Sequence, residues 1–182
     1  LFFSSKGTVY SLNVYDFPEG GRAAKGLPII NLLPLNQGES ITAIVPVSKF
    51  EESKNLIMLT KKGFIKRIGL NNFESIRKNG IIAIDLNEDD TLCWVKQANN
   101  NDEIIIGTSH GMAIRFAISD LRPLGRTARG VISMKLRADD TIVGCDIVPK
   151  NYDADLLVVT TDGYGKRTPL SEFRTQNRGG MG

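Results

Sequence analysis

The stretch LIMLTKKG at residues 56–63 decides the fold, because its design recurs three more times along the chain. Its counterparts are LFFSSKG (1–7), IIIGTSHG (104–111) and LLVVTTDG (156–163), each an apolar run followed by polar residues and a glycine. Short apolar runs rich in Ile, Val and Leu are typical of strands, and the glycine suits a tight hairpin turn with positive φ. Recurrence about every 50 residues indicates a repeat architecture.

A second glycine follows each of these turns, at Gly26, Gly80, Gly130 and Gly182. In the first three units two further apolar runs come after it, as in GIIAIDLNEDDTLCWVKQA (80–98) and GVISMKLRADDTIVGCDIV (130–148), whereas the fourth unit stops at its second glycine. Each unit therefore predicts four short strands, and four-stranded units arranged radially are typical of a propeller. We predict one all-β, propeller-like repeat domain over residues 1–182, with approximate units 1–50, 55–98, 103–148 and a truncated 155–182.

Alternation along the second strand of each unit predicts which side chains face the core. Counted from the first glycine, the large residues at positions +5, +7 and +10 should point inward: Leu12, Val14 and Phe17; Ile68, Leu70 and Phe73; Phe116, Ile118 and Leu121; Thr168, Leu170 and Phe173. Position +4 should point outward and holds Ser11, Arg67, Arg115 and Arg167, with Lys66 and Lys166 preceding two of the arginines.

The formal net charge of +3 conceals an uneven distribution. The segments before the second glycines are basic, and we call them the first to fourth basic loops: residues 19–26, 74–80, 120–130 and 171–182. Together with the hairpin windows 4–11, 61–67, 109–115 and 162–167, they contain 17 of the 23 Lys and Arg residues but 5 of the 20 Asp and Glu residues. Because these windows occupy equivalent places in every unit, they should line up along one rim as a positive band.

A positive band of this kind is typical of a surface that binds a polyanion. Arginine forks match phosphates and glycine-rich turns bring backbone N–H groups close to them, whereas aromatic residues, at 7%, are too few for base stacking. We therefore predict phosphate contacts with duplex DNA, without sequence readout, along a curved surface. The candidate DNA-binding residues are Arg22, Lys25, Lys66, Arg67, Arg77, Lys78, Arg115, Arg126, Arg129, Lys166, Arg167 and Arg178.

Other chemistry is poorly supplied by this sequence. One His and two Cys, Cys93 and Cys145, can form neither a metal cluster nor a disulfide framework, and no apolar run approaches the roughly 18–20 residues of a membrane-spanning helix. GTSHG (107–111) matches a nucleophile-elbow pattern, but no His follows it and it leads into a strand instead of a helix. We predict no catalytic residue, metal site, small-molecule substrate or membrane association.

Three stretches carry a resemblance to a known family: FSSKGTVYSLNVYDFPEGGRAAKGLPIINLLPL (3–35), GRTARGVISMKL (125–136) and GYGKRTPLSEFRTQNRGGMG (163–182). They resemble the C-terminal domain of the DNA gyrase A protein, and the similarity covers essentially the whole chain. The resemblance implies a β-pinwheel, a relative of the propeller whose blades exchange strands, with about three full blades and a partial one. It also implies a non-catalytic domain that wraps duplex DNA around a basic rim and favours negative supercoiling.

The resemblance further implies a holoenzyme and its partners. In that family the catalytic tyrosine and the ATPase lie in other parts of an ATP-dependent type II topoisomerase. The expected partners are therefore double-stranded DNA, the rest of the gyrase A protein and the gyrase B protein. ATP and Mg²⁺ belong to the holoenzyme, and no cofactor is expected for this domain. The expected location is the cytoplasm, at the nucleoid, in a bacterium, or a plastid or mitochondrion in an organellar version.

One motif departs from the family pattern. The gyrase box, Q-R-R-G-G-K-G, belongs to the first blade, and the chain, which opens at Leu1, reads as a fragment that begins after it. The nearest match is the box-like segment QNRGGMG (176–182): Gln176, Arg178, Gly179, Gly180 and Gly182 agree, while Asn177 and Met181 replace basic residues. Two other interpretations stay open: the corresponding C-terminal domain of topoisomerase IV, and a propeller-type scaffold that binds acidic protein partners.

Overall fold

Short strands and single-turn 3₁₀ helices make up the regular structure, which a computed structural model describes over residues 1–182. The strands are β1 (Phe2–Ser4), β2 (Thr8–Tyr10), β3 (Ile41–Ile44), β4 (Asn55–Thr60), β5 (Phe64–Gly69), β6 (Ile81–Ile82), β7 (Leu92–Ala98), β8 (Glu103–Thr108), β9 (Ala113–Ala117), β10 (Val131–Ile132), β11 (Ile142–Val148), β12 (Asp155–Val159) and β13 (Gly165–Pro169). The 3₁₀ helices span Val14–Asp16, Ile29–Asn31, Leu70–Phe73, Ile118–Asp120 and Leu170–Glu172. None of them has the length and hydrophobicity required to cross a membrane.

The strands form four antiparallel sheets, in the orders β3-β1-β2-β6, β10-β5-β4-β7, β11-β8-β9 and β12-β13. In the first two sheets one edge strand comes from the following unit. Strand β6 of unit 2 pairs with β2 of unit 1, and β10 of unit 3 pairs with β5 of unit 2. Consecutive units are thus joined by exchanged strands, and the prediction of an all-β, propeller-like β-pinwheel is confirmed.

The hairpin glycines behave as predicted. Gly7, Gly63, Gly111 and Gly163 have φ between +78° and +85°, a region that L side chains rarely adopt. Each closes the turn between the first two strands of its unit. The recurrence of glycine at this position therefore follows from the geometry of the turn.

The second glycine of a unit stands where the chain crosses to the preceding sheet. At Gly130, where φ is +102°, a Cβ atom would lie 2.6 Å from the carbonyl oxygen of Ile65 in β5. Gly182 repeats this one unit later, with φ at +97° and a Cβ position 2.8 Å from the carbonyl oxygen of Ala113. Because no L side chain fits such an approach to a backbone, strand exchange requires glycine here.

Apolar side chains are buried between consecutive sheets. One cluster of 12 buried residues joins Phe3 and Val9 of unit 1 to Ile68 and Phe73 of unit 2, and a second cluster of 12 joins units 2 and 3. Inward-facing positions +5, +7 and +10 are confirmed in units 2 and 3, where each is at most 1% exposed. Each unit therefore depends on its neighbour for its core.

In unit 1 the prediction that the side chains at positions +7 and +10 point into the core is wrong. Val14 is 86% exposed and Phe17 is 39% exposed. Their counterparts in unit 2, Leu70 and Phe73, are buried because they pack against the sheet of unit 1. Among the described residues, no sheet packs against the 3₁₀ turn of unit 1 in the way that the unit 1 sheet packs against the turn of unit 2.

Candidate nucleic-acid interface

Each of the later basic loops lies against the hairpin of the preceding unit. In the third basic loop the Leu124 N–H donates to the carbonyl oxygen of Arg67 in β5, at 2.9 Å. In the fourth, the Gln176 N–H donates to the carbonyl oxygen of Arg115 in β9, at 2.7 Å. A short parallel bridge accompanies each of these contacts. The repeat thus places successive basic loops equivalently, one unit apart.

The second and third basic loops face each other across a cleft of about 600 Å³, which we call the loop cleft. Its lining includes Arg77 and Ser75 from the second loop and Arg126 and Thr127 from the third, and no Asp or Glu. Neither arginine belongs to any of the four ion pairs of the chain. Two unpaired guanidinium groups beside two hydroxyls form a site suited to an oxyanion such as phosphate.

Exposure separates the candidate residues into two groups. The exposed ones are Arg22, Lys25, Arg77, Lys78, Arg126, Arg129, Lys166 and Arg167. Arg22 and Lys25 lie in the first basic loop, outside the loop cleft. Arg129 forms a surface ion pair with Asp85, at 2.7 Å. Because an exposed pair of this kind contributes little to stability, Arg129 can exchange its carboxylate for a phosphate at small cost.

The predicted outward orientation is wrong for Arg67, at position +4 of unit 2. Its side chain is half-buried, and Nη1 donates to the carbonyl oxygens of Ile118 (3.4 Å) and Leu121 (3.2 Å) in unit 3. The physical reason is that the Leu121 carbonyl, just past the 3₁₀ turn, has no partner within the turn. The Ile118 carbonyl already accepts the Leu121 N–H and has a second lone pair for the guanidinium. Arg67 therefore joins two units, and its contact with DNA stays a prediction.

Arg115 repeats this arrangement one unit later, and its predicted exposure is likewise wrong. Its Nη1 donates to the carbonyl oxygens of Leu170 (2.7 Å) and Phe173 (3.3 Å), and its Nε donates to the Glu103 carboxylate (2.7 Å). The Arg115 side chain is 17% exposed. Arg167, the counterpart in unit 4, pairs with Asp155 of its own unit among the described residues, and its side chain is 77% exposed.

Sequence reasoning missed the acceptors that accompany these arginines. Asn55, Glu103 and Asp155 occupy the same place in units 2, 3 and 4, at the start of the first hairpin strand. Each accepts a hydrogen bond or ion pair from the position +4 arginine of its own unit. The signal was available in the repeat, because an acceptor at this position accompanies an arginine at +4 in all three units.

Among the candidate DNA-binding residues, Lys66 departs furthest from the predicted surface position, because its side chain is fully buried. Its Nζ donates to the carbonyl oxygens of Ala83 (2.6 Å), Arg126 and Ala128 (3.1 Å). Burial lowers the pKa of Lys66 to about 8, and the nearby charge of Arg126 acts in the same direction. The third basic loop covers this side chain, so Lys66 cannot reach a ligand on the surface.

The box-like segment 176–182 packs against unit 3. The Gly179 N–H donates to the carbonyl oxygen of Ser133, at 2.8 Å, and the half-buried Arg178 guanidinium donates to the carbonyl oxygen of Ile132 in β10. The glycines of this segment therefore allow a close approach between backbones. Its contact with DNA stays a prediction.

Residues that could support other chemistry are not brought together. No group of three or more His, Cys, Asp or Glu side chains is placed to hold a metal ion. Cys93 and Cys145 are free and half-buried, and burial raises the pKa of the Cys145 thiol to about 12. Ser109 of the GTSHG stretch donates its hydroxyl to Asp140, at 2.7 Å, in a hairpin turn.

Comparison with known proteins places these observations in a family context. A sequence profile described as "DNA gyrase C-terminal domain, beta-propeller" matches residues 1–48, 54–99, 102–149 and 154–182. The DNA gyrase A protein of Staphylococcus epidermidis is 49% identical over the whole chain, and that of Staphylococcus aureus strain MRSA252 is 47% identical. The chain covers 20% and 21%, respectively, of the length of these relatives.

Solved structures with the same fold include two domains of type II topoisomerases. A crystal structure of the C-terminal domain of DNA topoisomerase IV matches the whole chain and 56% of its own length, with a TM-score of 0.90 and 26% identity. A structure of the DNA gyrase A C-terminal domain matches the whole chain and 57% of its own length, with a TM-score of 0.82 and 28% identity.

Proposed function

The chain belongs to the DNA gyrase C-terminal domain family, and on that premise we propose that it is a non-catalytic module that binds and wraps duplex DNA along its basic loops. The observation that carries the proposal is the loop cleft, in which Arg77 and Arg126 from consecutive units face the same space without a carboxylate between them. Arginine forks bind phosphate bidentately, and hydroxyls add hydrogen bonds to the same oxygens. A DNA backbone that crosses from one loop to the next would place a phosphate in this cleft.

The placement of the basic loops favours binding of a bent duplex over binding of a straight one. Bending a duplex by 40–90° over 20–30 base pairs costs about 1–6 kcal/mol, which one phosphate contact does not offset. Loops that recur at equivalent positions of successive units offer one group of contacts per unit, and their sum can exceed this cost. The exposed residues Arg22, Lys25, Lys78, Arg129 and Lys166 would extend the contacts on either side of the loop cleft.

The roles of the whole protein are proposals as well, since the chain spans about a fifth of the curated relatives that it matches. We propose that it presents DNA to the rest of a type IIA topoisomerase, an ATP-dependent enzyme whose catalytic residues lie outside this chain. The partners would be the remainder of the gyrase A protein and the gyrase B protein. The curated relatives are bacterial, which supports the cytoplasm, at the nucleoid, as the location of action over a plastid or mitochondrion.

The salt dependence of DNA binding tests the proposal. Each phosphate neutralised contributes about −0.9 to the slope of log K against log salt concentration. Replacing Arg77 and Arg126 together with alanine removes the contacts to the one phosphate proposed for the loop cleft. The change should therefore flatten the slope by about 0.9 and weaken binding at low salt. Lys150→Ala, at an exposed lysine outside the basic loops, is the matched control and should leave the slope almost unchanged.

An unchanged slope in the double variant would contradict the assignment of the loop cleft to phosphate. A chain that binds polyglutamate as tightly as it binds duplex DNA of equal charge would favour the alternative of a scaffold for acidic protein partners.

A second candidate is the corresponding domain of topoisomerase IV, favoured by the TM-score of 0.90 to that structure. The 47–49% identity to gyrase A proteins favours gyrase. The linking number of a plasmid relaxed in the presence of the chain distinguishes the two. The gyrase candidate expects wrapping, which constrains a change in linking number that grows with the number of bound chains. The topoisomerase IV candidate expects less wrapping, and simple bending leaves the linking number near its relaxed value.

A further inference from the structure

Lys66 is the one fully buried lysine of the chain, and its environment is unusual for a charged group. A buried ammonium is commonly paired with a carboxylate, because an isolated buried charge is costly. Here all three hydrogen-bond acceptors are backbone carbonyls, those of Ala83, Arg126 and Ala128. An ammonium group has three N–H donors, so this geometry uses every one of them and leaves none for a ligand.

Two of the three carbonyls belong to the third basic loop, which is in a different unit from Lys66. They flank Thr127, and Arg126 and Thr127 line the loop cleft opposite Arg77. The Lys66 ammonium therefore fixes the backbone of the third basic loop through the peptide carbonyls of Arg126 and Ala128. These two peptide groups orient the cleft residues Arg126 and Thr127. The Asp85 N–H also donates to the carbonyl oxygen of Ala128, at a longer 3.3 Å.

This contact of a buried lysine with backbone carbonyls joins units 2 and 3. The residues equivalent to Lys66 are Tyr10 in unit 1, Ile114 in unit 3 and Lys166 in unit 4. Ile114 is buried without any donor, and Lys166 is exposed. Of the three units that another unit follows in the structure, unit 2 alone places a lysine at this position.

We propose that Lys66 is a positioning residue for DNA binding: by holding the carbonyls of Arg126 and Ala128, it orients Arg126 and Thr127 toward Arg77 across the loop cleft. This inference rests on the proposed function of the cleft. Lys66 acts on DNA only through the loop, in contrast to the direct phosphate contact expected from its sequence pattern. The charged groups around it are Arg126 and Asp85, and Asp85 is itself paired with Arg129.

A double-mutant cycle tests this inference in the intact 182-residue chain. Lys66→Met keeps most of the length and the apolar character of the side-chain stem but removes its donors, and Arg126→Ala removes the cleft guanidinium. Each single variant should weaken binding to a duplex by about five- to tenfold. If Lys66 acts through the loop, adding Lys66→Met to Arg126→Ala should weaken binding by less than about twofold further.

Arg67→Met is the matched control, because Arg67 is the next residue of β5 and also donates to carbonyls of unit 3. Its acceptors are Ile118, just before the third basic loop, and Leu121, at the start of that loop, both away from the cleft residues Arg126 and Thr127. The fold-losses of DNA affinity caused by Arg67→Met and by Arg126→Ala should multiply in the double variant, which means that the two residues are not coupled. Hydrogen exchange supplies a readout without DNA: Lys66→Met should speed exchange of the amides at 125–130, and Arg67→Met should not. If Lys66→Met does not fold, Lys66→Gln, which retains an N–H₂ donor, takes its place in the cycle.

The outcomes are distinguishable. Multiplicative effects of Lys66→Met and Arg126→Ala, or unchanged exchange at 125–130, would overturn the positioning role while the proposed function stands. Failure of Arg77→Ala and Arg126→Ala to weaken DNA binding would instead overturn the cleft assignment on which the inference rests.

Discussion

Arg115→Met separates the two roles that an arginine at position +4 could have, a contact with DNA or a link between units. In the structure its side chain is 17% exposed, and its guanidinium bonds the Glu103 carboxylate and donates to the carbonyl oxygens of Leu170 and Phe173 in the next unit. Methionine keeps the apolar stem but removes the charge and all donors. The variant therefore breaks the link between units 3 and 4 without enlarging the side chain.

The expected loss of stability follows from these contacts. Removing one partner of a buried ion pair costs about 3–5 kcal/mol, because the other charge stays behind without compensation. The Thr175 hydroxyl still donates to Glu103, at 3.0 Å, and the pair is not completely buried, so we expect about 2–4 kcal/mol. Arg167→Met is the matched control. Its side chain is 77% exposed and bonds Asp155 alone, so its loss should be below about 1 kcal/mol.

Urea denaturation followed by circular dichroism measures both losses, and fluorescence anisotropy with a labelled duplex measures DNA affinity under conditions where each variant is folded. Arg115→Met should bind DNA within about twofold of the wild type, because its guanidinium already serves the protein backbone. The reasoning would be refuted by a stability loss no greater than that of Arg167→Met. It would equally be refuted by a tenfold loss of affinity in a fully folded variant.

Three further predictions concern stability. Gly130→Ala should lower the free energy of unfolding by about 3 kcal/mol or more in a thermal melt, because φ is +102° and the new Cβ would meet a backbone oxygen at 2.6 Å. Gly26→Ala, where φ is +73° and the space is open, should cost about 1 kcal/mol. Equal losses in the two variants would count against strand exchange as the reason for the glycine. The lowered pKa of Lys66, about 8 against an ordinary 10.5, means that the unfolded chain binds more protons than the folded chain between these values. Wild-type stability should therefore rise by up to about 3 kcal/mol relative to Lys66→Met from pH 8 to 10.5 in urea titrations, and a fall would be inconsistent with the buried ammonium. Desolvation raises the pKa of Asp140, but hydrogen bonds from Thr108, Ser109, His110 and Thr141 outweigh it and lower the pKa to about 2. The stabilising effect of Asp140 should therefore be complete above its ordinary pKa of 3.8 and disappear as the pH falls through 2. Asp140→Asn should melt lower at pH 7 and show a weaker acid dependence than the wild type.

The repeat in the sequence was sufficient to predict the class of fold, because a strand, a turn glycine and a second glycine recur in all four units. Why the second glycine recurs could not be predicted, since the close approach of Gly130 to Ile65 exists only after β10 has crossed to the preceding sheet. The exposure of Val14 was missed for a related reason. Alternation assigns a face to a residue, but whether that face is covered depends on a neighbouring unit.

The candidate site was predictable to the level of loops but not of individual side chains. Charge counting identified the second and third basic loops, and Arg77 and Arg126 do share a cleft. It could not separate them from Lys66 and Arg67, because a basic residue in a strand can serve a phosphate or a carbonyl oxygen with the same donors. The carbonyls of unit 3 that bind Lys66 and Arg67 lie about 50–60 residues further along the chain, beyond the range of local patterns.

Arginine footprinting with phenylglyoxal, followed by mass spectrometry of the chain with and without a saturating duplex, tests most directly whether the exposed loops and not the strand arginines meet DNA. Arg77 and Arg126 should react readily in the free chain and become protected on the duplex, while Arg67 and Arg115 should react slowly in both states. Undiminished reactivity of Arg77 and Arg126 in a chain that remains bound to DNA would contradict the account.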